Sequence, residues 1–228
     1  MSMNFHSFLD SARLVGPVSE SRRSPLGGMA KRVFDVLLAL LILPVVGLVL
    51  IGVAIMIKLQ DRGTILYGHT RIGFDGRTFR CWKFRTMVED GDQVLEQHLN
   101  SHPAEREVWL RERKLDNDPR VTPLGAVLRR LSLDELPQLI NVLNGEMSLI
   151  GPRPVVLDEL AHYAGSTDYY LKVRPGVTGL WQVSGRSDTS YRERVSLDRY
   201  YVSNWSVLLD FWILLRTVPA VLSSRGAR

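Results

Sequence analysis

The chain has 228 residues, a length that suits one domain with additional segments. Lysine and arginine together number 29 against 24 acidic residues, and this mild basic excess fits an anionic membrane surface or a phosphorylated ligand as well as many ordinary proteins. The single cysteine, Cys81, excludes an internal disulfide and a cysteine-based zinc site. The five histidines lack metal-ligand spacing, and the sequence has no nucleic-acid-binding motif, so no nucleic acid partner is expected.

Residues 1–28 are polar and of mixed composition, and they end in a Gly27-Gly28 pair. We expect a poorly ordered tail in this region. A cleaved signal peptide is not indicated, because the apolar stretch that follows begins late, is too long for the hydrophobic region of a signal, and lacks a small-residue cleavage site.

An uncharged apolar run extends from Val36 to Ile57 and would reach about 33 Å as a helix, enough to cross a bilayer. One transmembrane helix is the simplest interpretation. Pro44 lies inside the run, however, and is expected to kink the helix. Basic residues flank both ends, whereas a spanning helix normally shows a bias to one side. The residues alone leave two interpretations open, a span and a re-entrant segment that dips into the membrane and returns.

The stretch from Asp61 to Met87 has the pattern of a β hairpin. The pair Asp75-Gly76 separates RIGF from RTFRCWKF, and an Asp-Gly pair between two such segments is a strong hairpin signal. In the second arm, Phe79, Cys81 and Lys83 fall on one face of the predicted strand.

Val88 to Leu115 is charged and helix-prone, and Pro103 separates two segments whose apolar residues recur at helical spacing. We expect solvated charged faces here and assign the region no chemistry. The segment NDPRVTPLG, residues 117–125, predicts a turn that leads into the helix LGAVLRRL. That helix brings Arg129 and Arg130 to the next segment.

Two adjacent carboxylates, Asp134 and Glu135, lie in the segment LRRLSLDELPQLINVLNGEMSLIGPRP, with arginines on both sides. Pro137 is expected in the first turn of a helix, so a helix would begin at Ser132 to Glu135. Ser132 and Glu135 have the spacing of a capping box, and Asp134 could itself be the N-cap. Helix capping alone would explain these acids. Together with the arginines, they could also hold a phosphate, a divalent metal and a nucleophile, which favours phosphoryl chemistry.

Beyond Pro154, residues 155–170 are predicted to be helical with a break at Gly165-Ser166. The stretch RPGVTGLWQVSGR, from Arg174 to Arg186, predicts a tight loop that could cradle a phosphate between its two bracketing arginines. After one more helix, the apolar segment of residues 204–221 is interrupted by charges and by Pro219. This pattern favours an amphipathic helix in the membrane interface over a full span, with a buried core helix as the alternative.

The run SLDELPQLINVLNGEMSLIGPRP, preceded by NDPRVTPLG and followed by RPGVTGLWQVSGR, closely resembles the bacterial sugar transferases. These are monotopic phosphoglycosyl transferases that start polysaccharide assembly on a polyprenyl phosphate. The resemblance extends from about Met29 to Ser223, and several motifs match in the same order. It implies an α-rich α+β fold with a short β hairpin and interfacial amphipathic helices, and no classical nucleotide-binding sheet. It also implies a re-entrant membrane helix over residues 29–60, broken at Pro44, and a catalytic domain over residues 61–223.

The resemblance further implies a reaction. A sugar 1-phosphate, with galactose or glucose preferred, would pass from a UDP-sugar to undecaprenyl phosphate with release of UMP, initiating exopolysaccharide or related glycan synthesis. Asp134 would form a phosphoaspartyl-sugar intermediate that the lipid phosphate then resolves. The protein would act at the bacterial cytoplasmic membrane, in contact with membrane lipid, with its catalytic domain on the cytoplasmic face. The sequence leaves homo-oligomer formation open.

By the same resemblance, Glu135 matches the family's metal-binding carboxylate, and Mg²⁺ is the expected cofactor. Basic residues are candidates for binding the donor and its phosphates, with solvated surface charge as the alternative for the first two. These candidates are Lys83, Arg85, Arg129, Arg153, Arg174 and Arg186.

Three alternatives stay open at this point. The same chemistry could use an N-acetylated sugar. The chain could be a catalytically inactive membrane scaffold of a polysaccharide export complex, although the intact Asp134-Glu135 pair argues against that. It could also be a single-span anchor joined to an unrelated soluble domain, which would put the two ends of the apolar run on opposite sides of the membrane.

Overall fold

The computed structural model describes residues 24–112, 115, 117–185 and 189–222. Most of the tail predicted for residues 1–28 therefore lies outside the described residues. The described part is mostly helical and contains two sheets of two strands each. This arrangement confirms the expectation of a helix-rich fold with a small β component.

The longest element is helix α1, Gly28–Asp61, whose 34 residues reach about 51 Å at 1.5 Å per residue. It is continuous through Pro44, so the break predicted at this residue is not present in the helix. Among the described helices, it alone is long and apolar enough to cross a membrane, and only 11% of its most apolar 18-residue window is buried in the protein. Most of its apolar surface therefore has no protein partner and suits an apolar medium such as lipid.

The two ends of α1 pack against the same globular body. Near the N-terminal end, Ala39 belongs to the main core, which also contains Ile150 and Ile213. Near the C-terminal end, Val53 and Ile57 pack into a second cluster with Phe84 and Leu128.

The β hairpin forms as predicted. Strands β1, Leu66–Ile72, and β2, Thr78–Phe84, pair antiparallel with Leu66 opposite Phe84. Asp75 and Gly76 both have left-handed φ angles, 57° and 75°, as a tight Asp-Gly turn requires. Phe79 and Cys81 on β2 are buried, which anchors the hairpin to the core.

Three helices follow the hairpin. Helix α2 is Gly91–Ser101, and α3, Pro103–Glu112, begins at the predicted proline boundary. Helix α4, Pro123–Arg130, is capped by Thr122, whose hydroxyl oxygen accepts a hydrogen bond from the Gly125 N–H at 2.9 Å.

The predicted capping box at Ser132 and Glu135 was wrong. A 3₁₀ turn, Leu133–Glu135, follows α4 directly, and helix α5, Gln138–Asn144, begins only after Pro137. Ser132 has a left-handed φ of 55° and its side chain caps nothing, whereas an N-cap needs extended backbone. The chain turns at Ser132, and Asp134 therefore lies inside the 3₁₀ turn instead of capping a helix.

A second sheet was not predicted. Strands β3, Ser148–Ile150, and β4, Gly176–Thr178, pair in parallel. Between them lie α6, Leu157–Leu160, a 3₁₀ segment, Ala161–Ser166, and α7, Thr167–Leu171. The break in this region falls at Ala164, which has a φ of 43°, one residue before the predicted Gly165-Ser166 break.

The C-terminal part consists of α8, Leu180–Ser184, α9, Tyr191–Ser203, and α10, Val207–Leu222. Helix α10 buries Ile213 in the main core while Leu208, Phe211 and Leu215 stay exposed. The predicted helix is confirmed, and it presents both a buried face and an exposed apolar face.

A buried polar network joins α1 to α10. Lys31 Nζ lies 2.6 Å from Asp210 Oδ2, and both side chains are almost fully buried. Asp210 also accepts hydrogen bonds from the Tyr201 hydroxyl at 2.7 Å and from Trp205 Nε1 at 3.0 Å. The network fixes the N-terminal end of α1 against the helix that carries the second exposed apolar face.

Candidate active site

Asp134 and Glu135 lie on the 3₁₀ turn between α4 and α5, next to strand β2. Leu133 packs against the cluster of Phe84 and Leu128, and this contact holds the turn against the hairpin. Asp134 is buried, with 8% of its surface exposed. The local fold therefore places the two carboxylates beside the basic end of β2.

Glu135 is held by two cations. Its Oε1 lies 2.6 Å from Lys83 Nζ and 3.9 Å from Arg153 Nη1. Burial opposes ionisation of Glu135, but Lys83 and Arg153 outweigh it, so the pKa of Glu135 lies below its usual range. Glu135 is therefore an ionised acceptor that remains one quarter exposed.

Asp134 has the opposite shift. Burial raises its pKa above the usual range, and the neighbouring charge of Glu135 adds to the rise, while Lys83 and Arg129 lower it in part. The sequence predicted a helix terminus at Asp134, with arginines on both sides. In the structure, Lys83 is the stronger of the two favourable charges and no α-helix begins at Asp134.

Arg129 reaches this site from the end of α4. Its Nε donates a hydrogen bond to Thr86 Oγ1 at 2.9 Å. Asp118 and Arg120 form a bidentate ion pair, in which Arg120 Nη2 lies 2.6 Å from Asp118 Oδ2. Burial lowers the pKa of Arg129, the charge of Asp118 raises it in part, and that of Arg120 lowers it. The sequence predicts only a turn at Asp118 and Arg120 and does not indicate that their charges act on Arg129.

A cleft lies beside Glu135, and its lining residues come from segments that are far apart in the sequence. It brings together three of the predicted site residues, Lys83, Glu135 and Arg153. The other lining residues are Arg71, Cys81, Gln138, Pro154, Gly176, Val177 and Gln182. Arg71 on β1 forms an ion pair with Glu159, with 3.2 Å between Nη1 and Oε2. The sequence did not predict Arg71 as a site residue, and its place in the hairpin is the one signal that could have indicated it.

Two other predicted basic residues make protein contacts away from this cleft. The Arg85 guanidinium is bonded to Asp61 at the end of α1 and lies 3.6 Å from Glu89. Arg174 Nε donates to the Gly145 carbonyl oxygen at 2.8 Å, just past the end of α5. Their assignment to substrate stays a prediction, and Arg186 lies outside the described residues.

The acidic turn, Leu133–Glu135, offers two carboxylates to a magnesium ion. The described residues contain no group of three or more histidine, cysteine, aspartate or glutamate side chains that could hold a metal. Asp134 and Glu135 supply two carboxylates, and Mg²⁺ is commonly held by one or two carboxylates together with substrate phosphates and waters. The two carboxylates could therefore take part in binding a magnesium ion together with the phosphates of a donor.

Comparison with known proteins then decides the family. Residues 26–224 match the family described as bacterial sugar transferase. The chain belongs to this family. The resemblance found in the acidic turn and its flanking motifs is thereby confirmed.

Three relatives show what the family includes. The chain is 55% identical over 203 residues to the "Exopolysaccharide production protein ExoY" of Sinorhizobium fredii, covering 89% of this chain and 90% of that protein. It is 47% identical over 197 residues to the "Undecaprenyl-phosphate galactose phosphotransferase" of Salmonella typhimurium, covering 86% of this chain and 41% of that protein. It is 40% identical over 225 residues to the "UDP-glucose:undecaprenyl-phosphate glucose-1-phosphate transferase" of Escherichia coli, covering 93% of this chain and 45% of that protein. The chain thus spans nearly the whole of the first relative and less than half the length of the other two.

Proposed function

We propose that this protein transfers a hexose 1-phosphate from UDP-galactose or UDP-glucose to undecaprenyl phosphate and releases UMP, the first step in building an exopolysaccharide. The names of the Salmonella and Escherichia coli relatives state this type of transfer for those proteins. The observation that carries the proposal is the acidic turn, where Asp134 and Glu135 lie beside Lys83, Arg129 and Arg153.

The reaction proceeds in two displacements. A carboxylate oxygen of Asp134 attacks the phosphorus that bears the hexose, and the bond from that phosphorus to the bridging oxygen breaks, so UMP leaves with that oxygen. An oxygen of the lipid phosphate then attacks the same phosphorus, and the bond to Asp134 breaks. The carboxylate is regenerated, and the product is a polyprenyl diphosphate hexose. No general base is needed because both nucleophiles are anions.

Repulsion between anions is the main obstacle, and the cations at the site reduce it. Lys83 and Arg129 act on Asp134, while Lys83 and Arg153 act on Glu135. Their positive charge would also stabilise the transferring phosphoryl group. Magnesium bound by Glu135 and the donor phosphates would supply further charge neutralisation at the diphosphate.

The membrane arrangement that we propose is re-entrant, with both ends of α1 on the cytoplasmic side of the bacterial inner membrane. Its N-terminal end is fixed to the globular body by Lys31 and Asp210, and its C-terminal end by Asp61 and Arg85. A helix whose two ends bind one water-exposed domain is difficult to reconcile with ends on opposite sides of a bilayer. The exposed apolar residues of α1 and α10 would enter the lipid and bring the acidic turn to the level of the acceptor's phosphate.

The experiment that tests the function uses purified protein in detergent with magnesium, undecaprenyl phosphate and a panel of UDP-sugars, including UDP-galactose, UDP-glucose and UDP-N-acetylglucosamine. We expect UMP release with a hexose donor and a matching lipid diphosphate hexose. Release of UDP would indicate ordinary glycosyl transfer. Release only with the N-acetylated donor would correct the sugar, and no release with any donor would favour the scaffold alternative.

A further inference from the structure

Two glutamines line the cleft beside Glu135 without using their carbonyl oxygens. The Oε1 atoms of Gln138 and Gln182 are both buried, and neither accepts a hydrogen bond from any described residue. Gln138 is 98% buried as a whole residue, with an exposure of 2%. Buried amide oxygens in folded proteins nearly always have a partner, and an unpaired one is unfavourable. The pair of unsatisfied amides in one cleft therefore points to a ligand.

The two amides come from different elements that the fold brings together. Gln138 is the first residue of α5, three positions after Glu135, and Gln182 lies in α8 just beyond strand β4. Gly179 makes the position of Gln182 possible, because a Cβ atom there would lie 2.7 Å from Gln182 Oε1 and would clash with the Gly151 carbonyl oxygen. Both glutamines thus line the same cleft as one carboxylate, Glu135, and three cations, Arg71, Lys83 and Arg153.

The chemistry of the lining distinguishes the parts of a UDP-sugar. Lys83, Arg71 and Arg153 carry charges that suit phosphate oxygens. An amide is neutral and can both donate and accept, which matches a hydroxyl group. None of the ten lining residues is aromatic, so the cleft offers no ring on which a uracil base could stack. Of the donor's components, the hydroxyl-bearing hexose fits this lining best.

We infer that Gln138 and Gln182 bind hydroxyl groups of the donor's hexose and thereby select the sugar. The inference rests on the proposed function and adds the sugar-recognising residues to it. The two glutamines take no part in the bond changes. A donor whose hydroxyl points elsewhere, or is replaced by another group, leaves a buried amide unpaired, and such a mismatch gives strong discrimination between substrates.

The test compares the binding of UDP-hexose with that of UDP by calorimetry, in an Asp134→Asn background that prevents turnover. Gln182→Leu and Gln138→Leu are introduced separately, and Gln93→Leu, an exposed glutamine on α2, is the matched control. We expect each cleft variant to lower the affinity for UDP-hexose about tenfold, as loss of one or two hydrogen bonds predicts, and to leave the affinity for UDP unchanged. The Gln93 variant should behave like its parent with both ligands.

Other outcomes overturn the inference. Equal losses for UDP and UDP-hexose would mean that the amides contact the nucleotide or only shape the cleft. Unchanged binding of both ligands would mean that they contact neither. Because Gln138 is fully buried, its variant is interpreted only if its thermal unfolding matches the parent, and the partly exposed Gln182 provides the test if it does not.

The same variants with Asp134 intact separate this inference from the proposed function. If wild type releases UMP, Gln182→Leu should reduce the ratio of kcat/KM values between the preferred and the other hexose donor. An unchanged ratio would contradict the inference while the proposed function stands. If wild type releases no UMP with any donor but binds UDP-hexose through the amides, the proposed function fails and the recognition of the hexose remains.

Discussion

At the residue scale, Asp134 and Glu135 are neighbours whose pKa values shift in opposite directions. Burial dominates at Asp134 and raises its pKa, whereas Lys83 and Arg153 outweigh burial at Glu135 and lower its pKa. Glu135 thus stays charged and suited to a cation. Asp134 is less exposed than Glu135, and its neighbouring cations offset only part of the effect of burial on its pKa. Such an environment suits a carboxylate that forms a bond to phosphorus.

Lys83 connects the two acids, and its loss should alter the pH profile of the reaction. Activity requires ionised Asp134, so the acid limb of kcat/KM should lie above the ordinary aspartate pKa of about 3.9. In Lys83→Met, the positive charge that lowers the pKa of Asp134 is gone, so this pKa rises further. The acid limb of the kcat/KM profile should therefore move to higher pH, and the maximal kcat/KM should fall. Arg80→Met, on the exposed face of β2, should leave the limb in place. An unmoved limb in Lys83→Met would contradict this assignment.

Asp198 makes stability depend on pH. Burial raises its pKa to about 7, against the lowering effect of the Tyr163 hydroxyl, which donates to Oδ2 at 2.7 Å. Because the pKa in the folded state exceeds that of the unfolded chain, the stabilising contribution is present below about pH 4 and lost as pH rises through 7. In wild type, the free energy of unfolding should therefore fall between pH 5 and pH 8 by about 1.4 kcal/mol for each unit of the pKa shift that lies in this range. Asp198→Asn should lack this fall, and denaturant unfolding at the two pH values measures it. The exposed control Asp75→Asn should keep the wild-type decline, and an equal decline in all three proteins would contradict the prediction.

At the scale of elements, a buried ion pair strengthens the contact between α1 and α10, which also share the main core. Removing Lys31 leaves the buried Asp210 carboxyl group without its cationic partner, and breaking such a pair costs about 3–5 kcal/mol. Lys31→Met should therefore lower the thermal unfolding midpoint, which tryptophan fluorescence can report, since one of the five tryptophans, Trp205, donates a hydrogen bond to Asp210. Lys58→Met, an exposed lysine near the other end of α1, is the control. Equal midpoints for the two variants would mean that the pair does not hold the helices together.

Elements with strong local signals were predictable from the sequence. The Asp75-Gly76 turn and the proline boundary at Pro103 each depend on neighbouring residues, and each formed as expected. The long apolar run formed the predicted helix, but without the break predicted at Pro44. The parallel pair of β3 and β4 was not predictable, since each strand has three residues and the partner lies more than twenty residues away. The capping box failed because Ser132 turns the chain and Glu135 pairs with Lys83 instead.

The candidate site was predictable only in part. The acidic pair follows from its motif, but the contact of Lys83 with Glu135 joins positions 52 residues apart. Arg174 donates a hydrogen bond to the carbonyl oxygen of Gly145, a contact that the sequence does not reveal, and its expected contact with a phosphate stays a prediction. The unsatisfied amides of Gln138 and Gln182 become visible only when burial and missing partners can be counted in three dimensions.

At the scale of the whole molecule, the two ends of α1 bind one globular body, and this predicts that they lie on the same side of the membrane. Ser24→Cys and Gln60→Cys place a single exposed thiol at either end, because the natural Cys81 is buried. A membrane-impermeant maleimide should label both positions in inverted membrane vesicles and neither in intact spheroplasts. Unmodified protein should stay unlabelled in both. Labelling of the two positions from opposite sides would establish a span and contradict the re-entrant placement.

The proposed reaction depends on a covalent step at Asp134. The most direct measurement mixes stoichiometric protein with magnesium and the preferred UDP-hexose in the absence of lipid acceptor, followed by rapid quenching. We predict a burst of about one UMP per protein and a hexose-phosphate adduct on the peptide that contains Asp134, both absent from Asp134→Asn. Adding undecaprenyl phosphate should remove the adduct and restart turnover. UMP release that needs the acceptor in every case, with no adduct on any residue, would show direct transfer and contradict the proposed role of Asp134.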